Sequence, residues 1–248
     1  MKRCIHLNLP KRPGGEKSLR KRILEAGSDL LQDTSPLKDF DVYVVGFHCA
    51  KHDPHMQMEA HHYCKQVGED FLQCTIFDGN SRDANLIGIE YIISEELFEG
   101  LPQEEKSYWH PHNFEVLSGT LVAPGLPDVA EKALMRVIMN SYGKTWHTWH
   151  TGRHDGKGEP GHPLPYGDPH LMWSFNRDGE LDNSLLVNRD TTMGIDTGKK
   201  RLDRQDLAQY AKPQEGVDTL KDAYPHSSEP PSGVSDKRHH QSGGESDS

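Results

Sequence analysis

The segment Phe47-His-Cys-Ala-Lys-His-Asp-Pro-His-Met-Gln-Met-Glu-Ala-His-His-Tyr-Cys64 holds five of the chain's sixteen histidines, two acidic residues and two cysteines within eighteen positions. A segment that only fills an apolar core would favour aliphatic and phenyl side chains, because a buried neutral imidazole needs hydrogen-bond partners. The segment is therefore predicted to form either a binding site or a buried polar network.

The Asp-Pro dipeptide at 53–54 has the form of a helix start, with Asp as the N-cap and Pro at the first helical position. On such a helix His55, Glu59 and His62 share one face, whereas His61 points elsewhere. A Glu-x-x-His pair on a helix is half of the ligand set of carboxylate-bridged iron or manganese bundles, and imidazole with carboxylate also suits zinc. No second pair lies on another clear helix, so a mononuclear site is favoured over a di-metal one.

A mononuclear site needs further ligands, and the sequence offers several polar side chains on or beside predicted strands. These are His48, His52, Glu90, His110, His112 and His147. Their spacing matches none of the compact zinc signatures. The alternative is a hydrogen-bonded polar core in which Glu59 and residues 61–63 satisfy one another. Both interpretations stay open at this point.

The composition limits the class of protein. The chain has 248 residues, of which 33% are hydrophobic and 27% charged, and this balance favours one compact core with polar extensions. A net charge of −10 argues against nucleic acid as a partner. The four cysteines form no Cys-x-x-Cys pair and no apolar leader is present, so a cytoplasmic location is expected. The apolar windows are shorter than the roughly 20 residues that span a bilayer, so no transmembrane segment is expected and membrane contact would be peripheral.

Hydrophobic periodicity predicts an α+β fold, a mainly antiparallel sheet with packed helices in a single domain. An amphipathic helix is predicted over 18–31. A second helix is predicted from 127, with an apolar stripe that runs to 138 and Gly143 as its C-terminal cap. Strands are predicted at 41–47, 71–77, 86–93, 114–122, 145–150 and 171–175. The strands at 71–77 and 86–93 should form a hairpin. Cys64 and Cys74 are expected to be small buried apolar residues.

Three regions follow from the change in composition along the chain. Residues 1–17 are predicted to be a flexible basic arm, residues 18–188 the packed α+β domain, and residues 189–248 a largely disordered tail, because apolar content falls beyond about residue 188. The tail is Pro, Ser, Gly and Asp rich towards its end.

Several motifs, taken together, resemble one known family. They include Phe47-His48, His52-Asp53, Glu59-Ala-His-His-Tyr-Cys64, Leu86-Ile-Gly-Ile-Glu-Tyr-Ile-Ile-Ser94, Trp109-His110, Tyr142-Gly-Lys-Thr-Trp-His147 and Pro169-x-Leu-Met172. Over residues 20–180 the chain resembles the oil body-associated protein family, also described as DUF1264. The resemblance implies a cytoplasmic protein found at lipid droplets, and it implies no established reaction, so catalytic residues are left unassigned.

The resemblance also marks a set of polar residues at family positions. Those that offer a metal ligand are His48, His52, Glu59, His61, His62, Glu90, His110 and His147, and zinc, iron or manganese would be the divalent metal. Two hypotheses follow. The chain is either a protein of undefined activity peripheral to the droplet surface, with the helix over 18–31 as its contact, or a metal-dependent enzyme or metal-binding module. The sequence predicts no oligomeric state.

Overall fold

A computed structural model describes residues 16–155 and 161–237 of the chain. The strands are β1 Val42–Ala50, β2 Asp53–Gly68, β3 Phe71–Phe77, β4 Leu86–Ile93, β5 His110–Pro111, β6 Tyr142–His147 and β7 His170–Trp173. The helices are α1 Leu19–Leu31, α2 Glu95–Glu99, α3 Gln103–Lys106, α4 Asn113–Ser118, α5 Asp128–Ile138, α6 Asn183–Met193 and α7 Thr197–Asp203, with short 3-10 turns at Ser35–Leu37, Gln205–Tyr210 and Lys221–Ala223. Most of the predicted basic arm, residues 1–15, lies outside the described residues.

Six of the strands close into an antiparallel barrel in the order β1-β2-β3-β4-β6-β7, and β7 returns to β1. The predicted α+β architecture, a mainly antiparallel sheet with packed helices, is therefore wrong, because the sheet closes into a barrel. The closing contact is the six-residue pairing of β4 with β6, from Gly88 opposite His147 to Ile93 opposite Tyr142. Sequence periodicity indicates strands but not which edges meet, so this closure was not predictable from it. The predicted hairpin of β3 and β4 is confirmed.

The histidine-rich segment is a strand, and the predicted helix start at 53–54 is wrong. β2 runs for 16 residues and pairs with β1 from Asp53 to Cys64, whereas its pairing with β3 begins only at His61. Pro54, which has no N–H to donate, lies in the part of β2 that has only one strand neighbour, where a proline is tolerated. Because side chains alternate along a strand, Glu59 and His61 lie on one face and His62 on the other.

Small residues on the inner face of the barrel leave room for bulky polar side chains. Gly46, Ala60, Gly88 and Gly143 occupy inward positions in the strand register, level with the inward histidines. At Gly88, a Cβ would lie 2.8 Å from the Cδ2 atom of His147 and closer still to a backbone oxygen. Gly88 and Gly143 are therefore needed for the histidine rings beside them to fit.

The segment predicted as a strand over 114–122 is instead the short helix α4, and every one of its residues is buried. Only Val122 forms a bridge, to Val45 of β1. Arg204 holds this segment in place, because its buried guanidinium donates hydrogen bonds of 2.9 and 2.8 Å to the carbonyl oxygens of Val116 and Leu121. Gly143, predicted as a helix cap, lies in β6, and α5 ends earlier, at Ile138.

The packed region extends beyond residue 188. α7 and the 3-10 turns follow α6, and four apolar side chains of the later segment, Val217, Leu220, Tyr224 and Val234, are buried in the largest apolar cluster. This cluster also contains Phe47 of β1 and Trp173 of β7. The described part of the predicted tail therefore packs against the barrel up to Lys237, and residues 238–248 lie outside the described residues.

Cys64 and Cys74 are buried, as expected, but they are also joined by a disulfide across β2 and β3. They lie opposite each other in the strand register. Cys49 is a buried free cysteine.

α1 is confirmed as an amphipathic helix, and none of its residues is buried. In the part of the chain that the structure describes, no helix is long and apolar enough to span a membrane.

Candidate metal centre

The polar side chains that point into the barrel meet at one place, which we call the barrel cluster. It consists of His48 of β1, His62 of β2, Glu90 of β4, His147 of β6, His110 of β5, and His112 and Glu115 at and within α4; each is at most 4% exposed. The first four share the inner face because the register places His48, His62, Glu90 and His147 on inward positions of β1, β2, β4 and β6. β5 contributes His110, and the start of α4 contributes His112 and Glu115.

Glu90 is the centre of the barrel cluster. Its Oε2 lies 2.9 Å from Nε2 of His62, and its Oε1 lies 3.3 Å from Nε2 of His110 and 3.5 Å from Nε2 of His112. The Nε2 of His112 is also 4.0 Å from Oε2 of Glu115. Ligands about 2.1 Å from a tetrahedral zinc ion are about 3.4 Å from one another, so the separations around Glu90 Oε1 match those of a metal site.

Several of these atoms are close together without making a hydrogen bond. Both ring nitrogens of His62 and of His110, and Oε1 of Glu90, are buried and have no hydrogen-bond partner among the described residues. A buried polar atom left in this state costs about 1–3 kcal/mol. A cation shared by the barrel cluster could satisfy these atoms, whereas the predicted network of Glu59 with residues 61–63 lies largely on the other face of β2 and stays a prediction.

Two groups of three side chains place their ligand atoms within 4.8 Å of one another, and they share His110. One is His48, Glu90 and His110, and the other is His110, His112 and Glu115. These buried histidine and glutamate groups could hold a metal ion.

Gly143 is the residue of β6 that faces these atoms. A Cβ at this position would lie 2.2 Å from Oε1 of Glu90 and 2.7 Å from Nε2 of both His110 and His112. The three ligand atoms thus converge on a point beside the main chain that any side chain would fill.

Neighbouring groups orient several of the rings. Nδ1 of His112 lies 2.8 Å from the Ser141 hydroxyl, and Nε2 of His147 lies 3.2 Å from Nδ1 of His48. Hydrogen bonds to the second nitrogen of a histidine are typical of metal ligands, because they fix the tautomer and the ring direction.

The protonation states suit a cation. Burial lowers the pKa of His48 and of His110, and lowers the pKa of His147 to about 3, so these rings are neutral. Burial would raise the pKa of Glu90, but the surrounding histidines, His62 first, hold it well below its ordinary value. The neutral rings of His48, His110 and His147 beside an ionised Glu90 carboxylate are in the states that metal coordination requires. Burial, with the charge of Glu90, raises the pKa of Glu115 well above its ordinary value.

The structure brings together five of the eight predicted metal ligands, His48, His62, Glu90, His110 and His147. His52 is exposed in the turn between β1 and β2, and Glu59 and His61 lie on the outer face of β2. His112, named as a possible further ligand, belongs to the cluster. Glu115 was not predicted. Its spacing of three residues from His112 indicates a shared site only if residues 113–118 are a helix, and the sequence predicted a strand there.

The space within the cluster is small. A cavity of about 20 Å³ lies between His48, His62, Glu90, His112 and Glu115. A volume of this size accommodates one water molecule or ion. The cluster is thus closed to larger molecules, as structural metal sites are.

The cluster residues all fall within residues 34–208, which match the family model described as "Protein of unknown function (DUF1264)". The chain belongs to the DUF1264 family. The resemblance inferred from its motifs is confirmed.

Relatives of this DUF1264 chain have a shared name. Over 199 residues it is 38% identical to oil body-associated protein 2A of Arabidopsis thaliana, covering 79% of this chain and 77% of the relative. Over 220 residues it is 36% identical to oil body-associated protein 1A of Zea mays, covering 89% and 87%. No solved structure matches the chain.

Proposed function

We propose that the chain is a cytoplasmic protein that attaches peripherally to the surface of oil bodies through α1. The names of the DUF1264 relatives support an oil-body association. The observation that carries the proposal is the apolar side of α1, where Leu19, Ile23 and Leu30 are 75%, 63% and 84% exposed.

The arrangement of α1 suits a phospholipid monolayer. Leu19, Ile23 and Leu30 lie within one side of the helix by the 3.6-residue period, and the basic run 20–22 borders it. Such a helix lies in the interface with its apolar side in the acyl region and its basic residues near anionic head groups. Attachment of this kind is shallow and reversible.

The test compares two sets of exposed apolar residues on the full chain. Replacing Leu19, Ile23 and Leu30 with Ser should weaken flotation with phospholipid-coated triacylglycerol droplets by at least tenfold, since each buried aliphatic side chain contributes about 1.5–3 kcal/mol. The matched control replaces Val129 and Val137 of α5, which are 84% and 68% exposed. The proposal fails if the α1 variant floats as the parent does, or if both variants lose flotation equally.

A second function is favoured by the ligand atoms that converge on Glu90. The barrel cluster would bind one divalent metal ion, zinc, iron or manganese, with Glu90, His110 and His112 as its central ligands and His48, His62 or Glu115 completing the set. Because the cavity is closed, the ion would have a structural role and stabilise the junction between the barrel and α4.

His61, a buried histidine on the outer face of β2, provides a control for this second function. The full chain, purified without chelators or a nickel column, should carry close to one equivalent of metal by plasma mass spectrometry. Glu90→Gln should reduce the content at least tenfold, whereas His61→Gln, on the outer face, should not. A parent that holds far below one equivalent even after reconstitution would refute metal binding and favour a hydrated polar core.

A further inference from the structure

A second group of buried polar residues lies on the outer face of β2, away from the barrel cluster. Glu59 and His61 are each 3% exposed, and they line an open pocket of about 420 Å³. This volume is in the range of small-molecule sites. Asn80, Ser81 and Thr192 add an amide and two hydroxyls to its lining. Neither proposed function uses this pocket.

Polar atoms of both strand residues lack hydrogen-bond partners. Oε1 of Glu59 and Nε2 of His61 are 2.9 Å apart, yet this ring nitrogen, like Oε2 of Glu59, makes no hydrogen bond among the described residues. The other ring nitrogen, Nδ1, lies 2.8 Å from the hydroxyl oxygen of Tyr43. When Nδ1 carries the ring proton and donates it to Tyr43, Nε2 is an acceptor. The pocket then presents a carboxylate and an imidazole acceptor side by side, and a ligand with several donors would satisfy both.

The charges around the pocket favour a positive ligand. Within the described residues, Glu59 has only histidines as ion-pair partners. The guanidinium of Arg153, in the pocket wall, lies 3.3 Å from Asp78 and 3.7 Å from Asp83, so its charge is already balanced. Carboxylates therefore outnumber cationic groups, and such a surface concentrates cations.

The pocket suits an ammonium group better than a metal ion. Nδ1 of His154 accepts a hydrogen bond of 3.2 Å from the Asn188 amide, which leaves Glu59 and His61 as the available ligands, fewer than zinc takes. An ammonium group needs only acceptors around its three N–H bonds. We propose that this pocket binds a small protonated primary amine that carries a hydroxyl group, an amino alcohol of the ethanolamine type.

The amine has two sources with the same chemistry, a free amino alcohol or the head group of phosphatidylethanolamine. In both, the ammonium group would lie between Glu59 and His61, and the neighbouring oxygen would face the amide and hydroxyl groups of Asn80, Ser81 and Thr192.

The experiment titrates ethanolamine into the full chain by calorimetry, with ethylene glycol as the uncharged analogue. Ethanolamine should bind and ethylene glycol should not. Glu59→Gln should weaken ethanolamine binding at least tenfold, because it removes the charged partner of the ligand. Glu69→Gln, which removes the same charge from the exposed turn after β2, should bind as the parent does.

A stability measurement separates a ligand site from a structural role. Without amine, Glu59→Gln should unfold at or above the parent's melting temperature, because the amide fills the same space without an unbalanced charge. The proposal is overturned if the parent binds no ethanolamine, if ethylene glycol binds as well as ethanolamine, or if Glu59→Gln keeps full affinity; a destabilised Glu59→Gln would then assign Glu59 a structural role.

Vesicles identify the source of the amine. Sedimentation with phosphatidylcholine vesicles that contain phosphatidylethanolamine, compared with vesicles that lack it, should show Glu59-dependent retention if the lipid head group is the ligand. Binding of free ethanolamine without this retention identifies a soluble amine. The calorimetric test does not depend on α1, so this proposal and oil-body attachment fail separately.

Discussion

Gly143→Ala tests the barrel cluster most directly, because the added methyl group enters the space where the ligand atoms meet. Its carbon would lie 2.2 Å from Oε1 of Glu90 and 2.7 Å from Nε2 of His110 and of His112. Non-bonded contacts are favourable at about 3.5–4.0 Å, so each atom must retreat by roughly 1 Å. Metal–ligand distances tolerate only about 0.2 Å. We therefore expect the variant to lose the metal and, from overpacking alone, about 1–3 kcal/mol of its free energy of unfolding.

The assay is urea unfolding of parent and variant, each with and without a chelator, together with metal content. The chelator should destabilise the parent and leave Gly143→Ala unchanged. Gly88→Ala is the matched control, since its Cβ would crowd Trp146 and His147 in the same barrel without meeting Glu90, His110 or His112. It should be destabilised yet keep metal in its folded fraction. Retention of metal by Gly143→Ala, or equal loss in both variants, would refute the reasoning.

Three further predictions concern stability. Reducing the Cys64–Cys74 disulfide, which links residues ten apart, should cost about 2.7 kcal/mol by the chain-entropy relation; an unchanged melting temperature with reductant would contradict it. The pKa of His147 is about 3 in the fold against 6.5 ordinarily, so the unfolded chain alone takes up a proton between these values. Stability should therefore be complete above pH 6.5 and fall below it by about 1.4 kcal/mol per pH unit. The buried Glu115, whose pKa is raised, opposes this trend, whereas the other neutral histidines of the cluster reinforce it. Unfolding at pH 7.5 and 5.5 with chelator present checks the sign, and greater stability at pH 5.5 would contradict it. Gly27→Ala adds a Cβ that meets nothing within 4 Å. It should stabilise the helical form of α1 by about 1 kcal/mol and thereby strengthen droplet flotation. Weaker flotation would argue against a helical anchor.

The sequence predicted most individual strands because their apolar residues alternate, and β3 and β4 have the predicted bounds. It failed at β2, where the Asp-Pro dipeptide is a local helix signal that the strand pairing overrides. The inward set Met58, Ala60, His62 and Cys64 does alternate, but two histidines in succession hide the alternation, since two imidazoles buried on opposite faces of a strand look alike in a sequence.

The candidate site was predicted in part for the same reason. Residue type was enough to mark His48, Glu90 and His147 as candidates, because charged and imidazole groups within apolar strands are costly to bury. Which face each one occupies depends on strand register, and register depends on barrel closure, so His61 could not be separated from His62. The role of Gly143 also depends on long-range packing.

The closure of the barrel affects how copies of this chain behave when they are concentrated on a surface. Each of the six barrel strands has a hydrogen-bonded neighbour on both sides over part of its length, so the edges to which another chain could add are shortened. Copies gathered by α1 on one droplet would therefore be concentrated with a reduced template for edge-to-edge β-aggregation. Self-association there would rely mainly on side-chain surfaces, and a dense coat could form and disperse without the barrels becoming joined.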